Sequence, residues 1–515
     1  MARQMWRREL PVVVPMRRFV TGVCGAILLM LSTGTESRAQ TYKALTDFST
    51  YETSLIQGFS GYLYGTASGP GQYGYGGSIF KMTPAGTVTT IYTFCSKPSC
   101  ADGEWPDTGL VLGTDGNIYG TTYSGGANSS ILCNGEEVSG CGTVFKLTPG
   151  GELTTLYNFC SQTNCADGSG PGGSLVQGFD GVFYGMTGAG GAGTCPNYNF
   201  TRPFGCGTIF QITPAGALTT LYSFCAVSCV DGWDATGNLI QARDGNFYGS
   251  TNFGGTGSGG PQCGSGCGTI FQFTPPGTLT SLYSFCIDEG CPDGAGPAGL
   301  VLATNGAFYG TTGSGGAANY GTVFSFTTPN ALSTLYSFCT LANCPDGEYP
   351  QEGLIQASDG NLYGTTPFGG ANSGGTLFKI TPAGGLTTVY NFCAQTNCTD
   401  GIGPDVPLFQ DTNGILYGSA GGGPTGNGTV YSWSAGLRPF VTTLPTSGKA
   451  GKRVTILGNN LTDASAVTFN GTGATFTVVS ATEITATVPT GATSGKVHVT
   501  IPSGTLSTEV PFLVP

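Results

Sequence analysis

The chain has 515 residues, of which 9% are charged, and a formal net charge of −11. Sparse charge beside 89 glycines would suit disorder, but 23 tyrosines and 30 phenylalanines at regular positions exclude it and point to an all-β chain with many tight turns. The acidic balance excludes a nucleic-acid binder, whose affinity rests on Lys and Arg neutralising phosphates.

Residues 1–39 read as a secretory signal. Arg17 and Arg18 precede an apolar run, residues 19–31, that is short for a bilayer span, and small residues end at Ala39. Cys24 lies inside the apolar run, which argues against a lipoprotein signal. Cleavage near Ala39 removes six basic and two acidic residues, leaving 12 basic, 27 acidic and a formal charge of −15. The expected location is secreted or cell surface, with no membrane span in the mature chain.

From residue 55 onward one sentence recurs seven times. Its central tyrosines are Tyr64, Tyr119, Tyr184, Tyr248, Tyr309, Tyr363 and Tyr417, at spacings of 54 to 65 residues. A fixed period of this size marks a solenoid, a propeller or an array. Each unit contains four strand-like runs. Run A starts at Leu55, Leu110, Leu175, Leu239, Leu300, Leu354 and Leu408. Run B holds the tyrosine. Run C starts at Gly77, Gly142, Gly207, Gly268, Gly321, Gly375 and Gly428. Run D carries Tyr92, Tyr157, Tyr222, Tyr283, Tyr336 and Tyr390.

Asp-Gly or Asn-Gly stands between A and B in six units, which predicts a two-residue hairpin with both central residues at positive φ. Thr-Pro-Ala-Gly or a variant joins C to D. Four antiparallel strands repeated seven times predict a seven-bladed β-propeller. Runs A to C occur seven times but D follows only six of them. The missing D is expected at residues 44–48, so that an N-terminal strand closes the ring and protects a sheet edge. The propeller is expected over residues 40–435, with A nearest the axis.

The units, with YGTT…GG…GTVFKLTP and LTTLY.F, resemble the GloVer-type tandem repeat of exported bacterial proteins. The resemblance implies export and a repeat architecture, and no particular activity. Beyond residue 438 the composition turns to threonine, valine and small residues without cysteine. Alternation at residues 452–461, 466–471, 483–489 and 495–500 marks strands exposed on one face. This segment resembles an IPT/TIG domain, which implies an immunoglobulin-like β-sandwich over 438–515, used as a spacer or attachment module.

Eighteen cysteines remain after cleavage and fall into nine close pairs. Six follow run D: Cys95/Cys100, Cys160/Cys165, Cys225/Cys229, Cys286/Cys291, Cys339/Cys344 and Cys393/Cys398. Three sit in B–C loops: Cys133/Cys141, Cys195/Cys206 and Cys263/Cys267. In an exported chain these read as local disulfides rather than zinc ligands. All lie on the face formed by the B–C and D–A loops, where ligand recognition is expected.

Trp105, Trp233 and Tyr349 on that face are the candidate ligand-contacting aromatics, with packing over the core as the alternative. An aspartate follows each second cysteine (Asp102, Asp167, Asp231, Asp293, Asp346, Asp400) and reads as a turn or cap rather than a calcium ligand. Gln57, Gln177, Gln241, Gln356 and Gln410 recur in run A, either ringing a channel or satisfying backbone groups.

Catalytic apparatus is thin. His498 is the one histidine, and it falls in the C-terminal segment, which excludes a histidine triad in the repeats. Carboxylate neighbours such as Glu104/Asp107 and Asp288/Glu289 read as solvated loop acids. The expectation is a non-enzymatic binding or structural protein without metal or cofactor, whose partner is extracellular carbohydrate or a surface protein. The alternatives are a carbohydrate-active enzyme using loop carboxylates and a purely structural matrix component.

Overall fold

A computed structural model describes residues 40–47, 55–69, 76–106, 108–128, 133, 140–195, 205–225, 228–258 and 266–515. The signal-peptide expectation therefore lies outside the described residues. The fold is all-β. Its described helices are three single 3-10 turns, Pro98–Cys100, Thr163–Cys165 and Thr396–Cys398, each ending at the second cysteine of a pair.

The repeats form seven antiparallel sheets in the order A-B-C-D. In unit 2 these strands are Val111–Leu112, Ile118–Thr122, Thr143–Leu147 and Leu153–Asn158. Strand A has only two residues in most units, while B is buried along its length. That burial explains B's sequence. Its Tyr-Gly pair must pass beneath the strand C phenylalanine: a Cβ on Gly120 would sit 2.5 Å from Phe145 Cζ and 3.1 Å from Leu110 Cδ2. The second threonine of YGTT is buried too. Thr122 Oγ1 meets Thr143 Oγ1 at 2.9 Å and donates to the Ser124 carbonyl at 2.9 Å, and units 3 to 6 repeat the arrangement.

Each sheet shares a hydrophobic core with the next. Tyr64, Ile79 and Phe94 of unit 1 pack with Leu110, Ile118 and Phe145 of unit 2, and the pattern continues unit by unit. The seventh sheet returns to the first, because Tyr417 and Val430 pack with Leu55, Leu63, Phe80 and Met82.

The D position of the seventh sheet is filled by Thr41–Asp47, antiparallel to Thr429–Ser434. Its register skips Leu45, as the register of unit 2 skips Leu156, so this distant segment reproduces even the bulge of an ordinary strand D. Tyr42 stacks on Tyr390 at 4.0 Å, and its hydroxyl donates to the Asp400 carbonyl.

The A–B turns depart from the two-residue hairpin expected of Asp-Gly. Gly116 N–H bonds Gly113 O at 3.0 Å and Gly113 N–H bonds Asn117 O at 2.8 Å, and of the turn residues only Gly116 has positive φ (+86°). This is a type I turn closed by a left-handed glycine. The aspartate sits one place later than a type I′ turn needs, and its carboxylate has its own work. Asp115 accepts from Asn117 N–H at 3.1 Å and from Tyr119 OH at 2.8 Å, which ties the turn to the repeat's central tyrosine.

The run A glutamines join neighbouring sheets. Gln177 Oε1 accepts from Thr114 N–H of the preceding unit at 3.0 Å, and Gln241, Gln356 and Gln410 do the same for Phe179, Thr304 and Ser358. Gln57 accepts from Thr412 N–H at 3.0 Å, across the junction of units 7 and 1. Of the two alternatives, satisfaction of backbone groups is the one realised.

Beyond Leu437 two four-stranded antiparallel sheets enclose one core. The first is ordered Thr442–Leu444, Arg453–Leu457, Glu483–Thr487, Phe476–Ser480, and the second Thr472–Gly473, Ala466–Phe469, Val497–Ile501, Gly504–Ser507. Val454, Ile456, Phe469, Val497 and Phe512 are buried between them. This module meets the A–B turns of units 1, 6 and 7. Thr482 Oγ1 donates to Phe59 O (3.0 Å), Ser358 Oγ to Arg438 O (3.2 Å) and Phe440 N–H to Thr412 O (3.0 Å). The opposite, loop-bearing face carries none of these contacts.

Candidate axial site on the loop face

The segments that enter strand A converge on the ring axis at the loop face. They are residues 108–109, 172–174, 236–238, 298–300, 351–355 and 405–408, from units 2 to 7, and they line a cavity of about 850 Å³. The matching segment of unit 1 falls in residues 48–54, outside the described residues. Glycine and small hydroxyl or amide residues dominate the wall because six chain segments must crowd one axis. Among the described residues, Phe253 is its one aromatic ring, and no Lys, Arg or His lines it.

Among the described residues, two carboxyl groups line this cavity, Glu352 of unit 6 and Asp405 of unit 7. Burial pushes the Glu352 carboxyl up to about 8, and the neighbouring Asp405 charge adds to the rise. Asp405 is raised as well, again by burial, with its own backbone N–H opposing. Glu352 is partly exposed and Asp405 exposed at the cavity surface, and the charge of Asp405 beside Glu352 favours the neutral form of Glu352.

The sequence did not single out either residue. Glu352 lies two places before the first leucine of its strand A, where the other units carry threonine, glycine, alanine or valine. Asp405 lies three places before its own, where units 1 and 2 carry Glu52 and Asp107 and the rest carry Gly172, Thr236, Pro297 and Gln351. One signal was present. Strand C of unit 7 has Tyr431 where the other six have phenylalanine, and Tyr431 packs within electrostatic reach of Asp405.

The expected aromatics divide. Trp105 is 36% exposed, lies alongside Tyr123 at 6.5 Å, and stands three residues before Thr108 of the cavity wall. Tyr349, two residues before Gln351, is half-buried against Tyr320 at 5.1 Å and Phe368 at 6.3 Å. Trp233 is a correction. It is only 8% exposed and stacked on Phe253 at 4.6 Å, because it occupies the bridge position pairing with Phe253 rather than the turn position after it. It supports the cavity wall and does not face a ligand.

That turn position has positive φ in all six units. Gly170, Gly296 and Gly403 take it at no cost, while Trp105 (+54°), Asp234 (+57°) and Tyr349 (+55°) hold it against their side chains, a strain of about 1 kcal/mol each.

The recurring aspartates are structural. Asp167 is fully buried and accepts from Tyr157 OH (2.8 Å), Ser161 N–H and Oγ (both 2.9 Å) and Gln162 N–H (3.2 Å). The other five each accept from their own strand D tyrosine at 2.7 to 2.9 Å. Each bonds only within its own loop, as a cap does, although Asp231 Oδ1 and Asp346 Oδ1 have no hydrogen-bond partner. Of the adjacent acids, Glu104 is buried beside Ser124, Asp107 lies outside the described residues, and Asp288 and Glu289 are exposed away from the cavity.

Eight of the expected cysteine pairs are joined, and all six that follow strand D are among them. Cys263, expected with Cys267, lies outside the described residues. In unit 2 the two bridges adjoin, with the sulfurs of Cys133, Cys141 and Cys160 within 4.8 Å of one another. These disulfides fit an extracellular protein. No described helix is long and apolar enough to cross a membrane.

The chain is thus an all-β, propeller-like repeat protein with a polar axial cavity. It belongs to the Gloeobacter/Verrucomicrobia repeat family, whose pattern matches residues 20–260, 135–292 and 262–478. No curated protein matches it. Among solved structures it is similar to virginiamycin B lyase from Staphylococcus aureus, at 12% identity and a TM-score of 0.46, over 77% of this chain and 99% of that one. It is also similar to polysaccharide lyase Uly1, at 11% identity and a TM-score of 0.43, over 74% and 89%.

Proposed function

We propose that this chain is an exported binding protein that recognises carbohydrate through the axial cavity of a seven-bladed β-propeller. The observation that carries the reading is the cavity itself. Its volume of about 850 Å³ falls in the range of small-molecule sites, and its hydroxyls, amides and exposed backbone suit a neutral polyhydroxylated ligand. The absence of basic residues among the described residues of the wall argues against phosphorylated or acidic ligands.

The propeller spans residues 40–435 and is closed by its N-terminal strand. The segment 438–515 is an IPT/TIG-type immunoglobulin-like sandwich that holds the turn face and leaves the loop face free as a spacer or attachment module would. The disulfides support export after cleavage near Ala39, to the cell surface or beyond.

The test is a glycan array probed with the purified chain from residue 40. Binding to neutral oligosaccharides is expected, and an array with no binding sinks the reading. A second reading, a carbohydrate-active enzyme, is favoured by the Glu352–Asp405 pair, since paired carboxyl groups of unlike proton affinity perform glycoside hydrolysis. Release of reducing ends from a bound oligosaccharide during long incubation decides for that reading.

A further inference from the structure

We propose that Glu352 and Asp405 form the gripping end of the axial cavity, a carboxyl pair that holds two neighbouring hydroxyls of a neutral sugar residue. This rests on the carbohydrate reading above.

The geometry comes first. Both side chains line the same cavity and act on each other electrostatically, although they come from different units. Among the described residues, no lysine, arginine or histidine lines the wall to neutralise them. The charge of Asp405 acts on Glu352 and also on Tyr431, a fully buried residue of strand C in unit 7 that lies behind the cavity lining.

Tyr431 is the independent observation. It is fully buried, and its hydroxyl makes no hydrogen bond. Phe80, Phe145, Phe210, Phe271, Phe324 and Phe378 fill the same place in the other six units, so packing alone needs no hydroxyl there. A buried polar group without a structural partner calls for an explanation. Beside Asp405 it has one: a donor that holds the carboxyl group when a ligand fills the corner.

The chemistry then selects the ligand. A dication would keep both carboxylates charged, whereas this corner favours the neutral acid at Glu352. A neutral carboxyl donates one hydrogen bond and accepts others, while an ionised one only accepts. A neutral Glu352 together with Asp405 therefore offers a donor and several acceptors in one cavity, the complement of two adjacent sugar hydroxyls.

The test titrates the chain from residue 40 with cellohexaose, xylohexaose, maltohexaose and mannohexaose at pH 6 and pH 9. At least one is expected to bind at pH 6 and to weaken tenfold or more at pH 9, where Glu352 has ionised. Glu352→Gln, which keeps a donor and an acceptor, is expected to bind at both pH values. Asp405→Asn is expected to weaken binding at least tenfold.

Tyr431→Phe restores the residue of the other units, so its folding is secure. It is expected to weaken binding about threefold at an unchanged melting temperature. Binding by none of the four sugars overturns the carbohydrate reading and the grip with it. Binding that Glu352→Ala, Asp405→Asn and Tyr431→Phe all leave within twofold overturns the grip alone. Binding that requires added calcium, or sugar cleavage abolished by Glu352→Gln, also overturns it.

Discussion

Tyr42 is where the ring can be opened without touching any of the six continuous units. It belongs to the strand that supplies D to the seventh sheet, and it packs against Tyr390, Phe392 and Tyr431 at 4.0, 5.9 and 5.5 Å. Truncating a large core aromatic to alanine costs about 3–5 kcal/mol. Tyr42 is only partly buried, which lowers the packing loss, while the bond to the Asp400 carbonyl is lost as well. A loss of about 3 kcal/mol is expected for Tyr42→Ala. With an unfolding entropy of about 2.1 cal/mol/K per residue over ~470 residues, the melting temperature should fall by about 3 °C. Calorimetry reads that shift, and limited proteolysis reads its place. The freed strand C edge, Thr429–Ser434, should become the first region cut. A variant that melts within 1 °C of wild type, with unchanged proteolysis, would refute the closure of the ring by this strand.

Four further outcomes are expected. Glu352 has a folded-state pKa of about 8 against 4.5, so its contribution is full below pH 4.5 and is lost as pH rises through 8. The full shift corresponds to ~5 kcal/mol, and solvent entering the cavity brings the expected loss to about 2–3 kcal/mol. Glu352→Gln should flatten the stability profile between pH 5 and 9, measured by urea midpoints; a parallel decline in both proteins counts against a buried acid. Gly120→Ala forces a methyl group against Phe145 and should cost about 1–3 kcal/mol, read as a lower urea midpoint at unchanged slope. Replacing Cys160 and Cys165 together by serine should cost about 2 kcal/mol, since the closed loop is short. Trp105→Gly removes a left-handed tryptophan, so stability should change by less than about 1 kcal/mol while oligosaccharide binding weakens. Binding equal to wild type on titration would remove Trp105 from the site.

The ring was legible because its signals are local and repeated. Tyrosine strand, turn and threonine recur in every unit, and a count of strands pointed to residues 44–48 as the missing D. Local signals also explain what was misread. Asp-Gly looked like a two-residue hairpin because the dipeptide does not reveal that Asp115 reaches forward to Tyr119, which places glycine after the turn rather than inside it. Trp233 stands one place earlier in its unit than Trp105 does, and that single offset moves a side chain from the turn to the bridge and so from surface to core.

Glu352 and Asp405 show the deeper limit. They are 53 residues apart and belong to different units, and each is an ordinary loop acid in its own segment. Only the packing of unit 6 against unit 7 brings the two segments to one cavity, where desolvation raises the pKa of Glu352. A repeat hides such a site because the eye follows what recurs, whereas the chemistry sits at positions that differ from unit to unit. The residue that broke the pattern in plain view was Tyr431. Substituting that one tyrosine by the phenylalanine of its six counterparts therefore separates scaffold from site: an effect on ligand binding without an effect on melting assigns the hydroxyl to recognition, and an effect on melting alone returns it to the core.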